Sequence, residues 1–110
     1  EPNLRAAKTD KNAAMARRTS IARKLQSDWL RYDARQKSAQ ENIKIFEAKI
    51  KAIEEKQAAQ LISYESGAGD YSPILDAEIA MLMLRSEIVK AQTERDQLIA
   101  TMNSILVTPS

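Results

Sequence analysis

Apolar residues recur at alternating steps of three and four positions along the first part of the chain, and neither Gly nor Pro interrupts residues 4–63. This spacing places them on one face of an α-helix and repeats every seven residues, as in coiled coils. A helix over about 4–63 would be about 90 Å long at 1.5 Å per residue, which is too long for a compact domain of this size. Its apolar face, or stripe, consists of Met15, Arg18, Ala22, Leu25, Trp29, Tyr32, Gln36, Ala39, Ile43, Phe46, Ile50, Ile53, Gln57, Gln60 and Tyr64.

A second stripe with the same spacing follows Pro73 and predicts a shorter helix over about 73–106. Pro73 suits the first position of a helix, where its missing N–H costs nothing, and Ser72 is expected to cap the free amides of the first turn. Pro109 ends the pattern. The second stripe consists of Ile74, Ala77, Met81, Leu84, Ile88, Ala91, Arg95, Leu98, Met102 and Ile105.

The segment 64–72 between the two helices has the composition of a turn. It holds both of the chain's glycines, and either Gly67 or Gly69 is expected to adopt the left-handed conformation that closes a helix C-terminus. A helix end, a short turn and a helix start therefore fall together. The sequence predicts a single segment over 1–110 that is all-α: a long antiparallel helical hairpin of coiled-coil type with unequal helices.

Folding the helices back about this turn predicts their partners. Ile62 is expected near Leu75, and Tyr32 near Ile105. Residues before about Trp29 would then have no partner within the chain. The second helix also carries apolar residues outside its stripe, which a single seam would leave in water, so we infer at least one further helical neighbour. These off-stripe residues are Ile79, Leu82, Met83, Val89, Ile99 and Leu106.

Composition limits the chemistry that the chain can perform. It contains no Cys and no His, which removes thiolate chemistry, the commonest general base and the commonest transition-metal ligand. We therefore expect no enzyme activity, no cofactor and no metal site. The net charge of +2 is too small to predict nucleic-acid binding. No basic residue lies between Lys56 and Arg85, an interval that contains the acidic residues Glu65, Asp70, Asp76 and Glu78.

The turn also carries a motif. Tyr64 and Gly67, in the spacing Tyr-x-x-Gly, are followed by Ile-Leu-Asp-Ala at residues 74–77 near the start of the second helix. This arrangement resembles the periplasmic turn of TolC-like outer-membrane efflux proteins. The pattern that follows is also similar to that family, at Glu87, Ala91, Glu94, Leu98 and residues 103–106. By correspondence, the chain would be the C-terminal periplasmic hairpin, without the barrel domain and the first helix pair.

The resemblance implies a function in transport. Such proteins are trimers in the outer membrane, and their helices form an α-barrel tunnel across the periplasm. The hairpin tips narrow the tunnel entrance and dock a periplasmic adaptor that links the channel to an inner-membrane pump. The resemblance implies that Asp76 is part of an acidic ring at the gate. Pro73 stands where several relatives have a further Asp, and Asp70 would then substitute for it. The docking turn would be Tyr64, Glu65, Ser66, Gly67, Ala68, Gly69, Asp70, Tyr71 and Ser72.

Two other interpretations remain open. The chain could be a generic coiled-coil scaffold, in which case its assembly would enclose no tunnel. It could instead be the hairpin of a periplasmic adaptor, although such hairpins usually interrupt a lipoyl-like β-domain and neither flank here has a strand pattern. For the turn alone, an ordinary helix–helix connection is the simplest explanation, and Asp76 would then be a carboxylate favoured near a helix N-terminus.

Overall fold

The computed structural model describes residues 2–107, which form two long antiparallel helices. Helix α1 is Pro2–Glu65 and helix α2 is Ser72–Val107, and no strand occurs in that range. The hairpin measures 99 × 15 × 15 Å. Its radius of gyration of 26.7 Å is about twice the roughly 13 Å of a compact domain of similar length. The prediction of an extended all-α hairpin with unequal helices is confirmed, and each helix extends one or two residues beyond the predicted bounds at both ends.

The two predicted stripes form the seam between the helices. From Trp29 to Gln60 every residue of the α1 stripe is buried or half-buried, and so is every residue of the α2 stripe. Alternate steps of three and four keep these side chains on the facing sides of both helices. The most buried residues are Ala39, Ile43, Ile74, Met81, Leu98 and Met102.

The first 25 described side chains of α1 lie beyond the end of α2. Residues 3–27, which we call the overhang, are all exposed, and the stripe residues Met15 and Leu25 are 54% and 41% exposed. Half-burial begins at Asp28 and Trp29. The prediction that residues before about Trp29 have no partner within the chain is therefore confirmed for the described part of the chain.

Two polar contacts across the seam define the register of the helices. Arg95 Nη1 donates a hydrogen bond of 2.8 Å to Gln40 Oε1, and Gln57 Nε2 donates one of 2.9 Å to Glu78 Oε1. These pairs place Ile105 about two residues, or roughly half a helical turn, further from the tip than expected.

The shift in register moves Ile105 toward the end of the seam. Ile105 lines a groove with Trp29 and Leu30, and its expected neighbour Tyr32 is half-buried in the seam. At the other end, Ile62 and Leu75 are 69% and 49% exposed and lie outside the seam.

Gln57 connects the seam to the start of α2. Besides its bond to Glu78, its Nε2 donates to the main-chain oxygen of Ile74 at 3.2 Å. The carbonyl of Ile74 thus receives a side chain from the opposite helix close to the turn. Because a polar partner at one level of an apolar seam favours a single alignment, Gln57 and the Gln40–Arg95 pair fix the offset of the helices.

Neither helix has an 18-residue stretch apolar enough to cross a membrane in the range that the structure describes.

Candidate functional site: the turn and the exposed helix faces

The C-terminus of α1 closes in a Schellman motif. Gly67 has a φ of +81°, its N–H donates to the Tyr64 oxygen at 3.0 Å, and the N–H of Ala68 donates to the Ser63 oxygen at 3.0 Å. These two bonds satisfy carbonyls that a helix end otherwise leaves free. Gly67, rather than Gly69, is therefore the left-handed glycine, because a Cβ is disfavoured at that φ.

Gly69 is needed for a different reason. A Cβ at this position would lie 3.1 Å from Ser63 Cβ and 3.3 Å from the main-chain nitrogen of Tyr64. The main chain of the turn passes so close to the last turn of α1 that a side chain would require a shift of a few tenths of an ångström. Both glycines of the chain thus have a structural explanation.

A pair of aromatic rings links the two sides of the turn. The rings of Tyr64 and Tyr71 have centroids 5.0 Å apart and are tilted by 52°, a geometry favourable for aromatic pairs. The main-chain N–H of Tyr71 also donates to Asp70 Oδ1 at 2.8 Å. The turn is therefore held by side-chain contacts as well as by the main chain.

The start of α2 differs from the prediction by one residue. The carbonyl of Tyr71 accepts the first helical hydrogen bond, from Leu75 at 3.2 Å, so Tyr71 is the N-cap residue. Ser72 is the first helical residue and Pro73 the second, not the cap and the first as expected. Pro73 remains acceptable there because the first amides of a helix have no partner within it. The prediction missed this shift because the Asp70 and Tyr64 contacts to Tyr71 are not visible in the local sequence.

The acidic side chains predicted for the tip are all exposed. Asp70 and Glu65 lie on the turn and at the end of α1, and Asp76 is the fifth residue of α2. Asp76 thus lies just beyond the first turn of the helix, where the interaction with the helix dipole is already weaker. The helix dipole therefore explains the presence of Asp76 less well than the sequence suggested.

Lys56 lies beside Asp70 and Asp76. Sequence reasoning missed this basic neighbour. It lines one groove with Asp76 and Pro73, and an adjoining groove with Asp70. In the described residues it forms no ion pair within 4.0 Å of either carboxylate. Lys56 is the last basic residue before the turn, so folding α2 back along α1 could have identified it. Its positive charge reduces the negative potential on this side of the tip.

The remaining residues of the predicted docking turn are also exposed. Ser66 Oγ donates to the Ser63 oxygen at 2.9 Å, which adds to the closure of α1. The structure brings the whole predicted set to one end of the rod, with side chains accessible throughout: Tyr64, Glu65, Ser66, Gly67, Ala68, Gly69, Asp70, Tyr71 and Ser72.

Apolar side chains extend along the outer faces of both helices. The off-stripe residues of α2 are exposed as the sequence suggested, from 38% for Ile99 to 69% for Leu106. Large exposed apolar patches mark sites of association, and these residues place exposed apolar side chains along α2. On α1, the exposed apolar residues within the paired region are Leu30, Ile45, Leu61 and Ile62.

The two methionines of α2 near the turn point in different directions. Met81 is buried in the seam at 2% exposure, whereas Met83 is 67% exposed. They cannot contribute two sulfur ligands to one metal ion. No group of three or more acidic residues lies close enough together to hold a metal within residues 2–107.

Comparisons of the chain with protein-family models, with curated proteins and with solved structures gave no match.

Proposed function

We propose that this chain is a wall segment of a trimeric outer-membrane efflux channel of the TolC-like type, with its turn at the periplasmic entrance. The observation that carries the proposal is the Tyr-x-x-Gly motif at Tyr64 and Gly67, with Ile-Leu-Asp-Ala at 74–77, at the tip of a long extended hairpin. In this role the chain transports nothing itself. It supplies two helices to a tunnel that several subunits complete.

The exposed apolar faces support assembly side by side. A hairpin only 15 Å thick buries one seam and leaves Ile79, Leu82 and Met83 on its outer surface. Helices with apolar residues on more than one face require further helical neighbours. A ring of parallel hairpins would provide such neighbours on both sides and enclose a water-filled passage.

The acidic tip supports a gating role. In a parallel ring, copies of Asp70 and Asp76 from all subunits would meet at one end of the tunnel. Rings of carboxylates favour cations and disfavour anions. Lys56, which shares grooves with both residues, would moderate this selectivity.

The turn is suited to dock an adaptor because it is both exposed and ordered. The Schellman motif, the close approach at Gly69 and the Tyr64–Tyr71 contact fix its main chain before any partner binds. A binding surface that is already in its bound conformation loses less entropy on association.

The first test is the orientation of associated hairpins. The chain has no Cys, so Ala68→Cys places a single spin label at the tip. In a parallel assembly, labels on neighbouring chains would be separated by distances comparable to the 15 Å width of the rod. In an antiparallel assembly they would lie at opposite ends of a 99 Å rod. Double electron–electron resonance separates the two cases, and a long distance would contradict the channel proposal.

The second test measures the ion selectivity of the complete channel protein in planar bilayers. Asp70→Asn with Asp76→Asn is expected to lower the preference for cations. The matched control is Glu41→Gln with Glu47→Gln, since both carboxylates are exposed and form no ion pair in the described chain, and both lie at least about 27 Å from the tip end of α1. Equal effects of the tip and control variants on the selectivity of the complete channel would rule out the gating role.

A generic coiled-coil scaffold is the second candidate. One observation favours it: both glycines and both tyrosines of the turn have structural explanations, so the turn needs no partner to account for them. A helical assembly that encloses no water-filled passage would support this alternative.

A further inference from the structure

The seam of α1 changes in character where α2 ends. Between Trp29 and Gln60 the seam contains no Lys or Arg, and its residues are buried or half-buried against α2. The same spacing continued through the overhang brings three cations into the seam, interleaved with apolar residues. The seam of the overhang consists of Leu4, Lys8, Lys11, Met15, Arg18, Ala22 and Leu25.

The charges of the overhang define what can cover it. Residues 3–27 contain seven Lys or Arg and a single acidic residue, Asp10. None of the three seam cations forms an ion pair among the residues that the structure describes. A second overhang packed against this seam would bring like charges together, which is unfavourable. A stripe as apolar as that of α2 would desolvate the cations without pairing them. An acidic surface is the complement.

The alternation also indicates the shape of the partner. Cations and apolar side chains occur on one helical face at coiled-coil spacing, in direct continuation of a seam that already binds a helix. A nucleic acid or an anionic lipid surface would use the basic residues all round the overhang, including Arg17, Arg23 and Lys24. A helix would use the seam alone.

A second observation concerns Trp29, at the junction between the seam and the overhang. Trp29 lies in a groove with Leu25 and Leu30 of α1 and Ile105 and Leu106 of α2. Its indole Nε1 is buried and has no hydrogen-bond partner. Buried donors of this kind are rare because they lose their hydration without compensation. The N–H of Trp29 can therefore donate to an acceptor that enters this groove.

We propose that the overhang binds an amphipathic helix of a partner protein, with carboxylates along its seam, in line with α2. Its acidic side chains would pair with Lys8, Lys11 and Arg18, and its apolar residues would cover Met15 and Leu25. Its end would occupy the groove at Trp29 and supply the acceptor. The overhang of 25 described residues sets the length of the bound helix at about 37 Å.

The test is a titration of the whole chain with a designed 25-residue helical peptide. The peptide carries Glu opposite the three seam cations and Leu opposite the apolar positions, and a control peptide carries Lys in place of Glu. Trp29 is the only Trp of the chain and lies at the end of the binding site, so its fluorescence reports binding, with calorimetry as a second measurement. We expect the acidic peptide to bind and to shift the Trp29 emission to the blue, and the control peptide not to bind.

Two adjacent arginines provide the matched variants. Arg18 is in the seam and Arg17 is outside it, and both are exposed, so Arg18→Glu and Arg17→Glu change the charge equally without disturbing the fold. Arg18→Glu is expected to weaken binding of the acidic peptide at least about tenfold. Arg17→Glu should weaken it less than about twofold, as expected for an exposed charge.

Four results would overturn the proposal. The first is equal affinity for the acidic and control peptides, or no binding of either peptide. The second is an equal effect of Arg17→Glu and Arg18→Glu. The third is self-association through the overhang, seen in sedimentation equilibrium as a dimer that Arg18→Glu weakens and the peptide cannot displace. The fourth is tighter binding of duplex DNA or anionic vesicles than of the peptide.

Discussion

The strongest test of the fold compares two methionines two positions apart. Met81 is 2% exposed in the seam and Met83 is 67% exposed on the outer face. Met→Ala removes three heavy atoms in either case and slightly improves helix propensity. At about 0.8 kcal/mol for each buried methylene-sized group, the lost transfer free energy at position 81 is about 2.4 kcal/mol. The cavity that remains raises the expected loss for Met81→Ala to about 3 kcal/mol.

Met83→Ala is the matched control, since it makes the same chemical change on the opposite side of the helix. A substitution at an exposed site usually changes stability by less than about 0.5 kcal/mol. Urea denaturation followed by far-UV circular dichroism measures both variants. The comparison is made at two protein concentrations, because an effect of Met83→Ala that grows with concentration would indicate association through the outer face.

Two outcomes would contradict the burial of Met81 between the two helices. If the two variants lose equal stability, or if Met81→Ala loses less than about 1 kcal/mol, then Met81 is not packed between α1 and α2. The alignment that places it opposite the buried residues of α1 would then be wrong.

Three further predictions concern the turn, the register and the response to pH. Gly67→Ala should destabilise the hairpin by about 1 kcal/mol in thermal denaturation because residue 67 has a positive φ. Gly67→Asn should destabilise it less, because Asn tolerates that conformation. Equal losses of stability in the two variants would argue against the left-handed cap. Gln57→Leu should preserve helix content but permit more than one alignment, seen as additional peaks in NMR spectra, and a single set of peaks would show that the register is fixed elsewhere. Hydrogen bonds from Lys37 and Gln36 lower the pKa of Asp33. The ionised Asp33 therefore stabilises the fold above its unfolded-state pKa of about 3.9, and this contribution is lost as the pH falls through the folded-state pKa. An NMR titration should show that Lys37→Ala raises the pKa of Asp33, and an unchanged pKa would contradict this cause.

The seam was predictable from sequence and the axial offset was not. Steps of three and four positions identify the buried face of each helix because they depend only on helix geometry. The same steps are compatible with alignments that differ by about one turn, since the pattern repeats along the helix. The offset is fixed by particular polar contacts, such as Gln57 with Glu78, and these are not distinguishable in sequence from solvent-exposed polar residues.

In the turn, too, some features were predictable from sequence and others were not. The glycines predicted a helix end, but the separate requirements for Gly67 and Gly69 depend on main-chain geometry that only the structure provides. The acidic residues of the tip were predictable in position, whereas Lys56 enters their grooves only because α2 folds back beside it.

The turn residues now separate by what they contribute to folding. Gly67, Gly69, Tyr64 and Tyr71 each make a contact or adopt a conformation that closes the hairpin, so their presence alone is no evidence of a partner. Asp76 is exposed and forms no hydrogen bond or ion pair in the described chain. A residue without a structural task can be substituted without loss of fold. Asp76→Asn is therefore the variant whose effect on conductance, at unchanged stability, would be evidence of function.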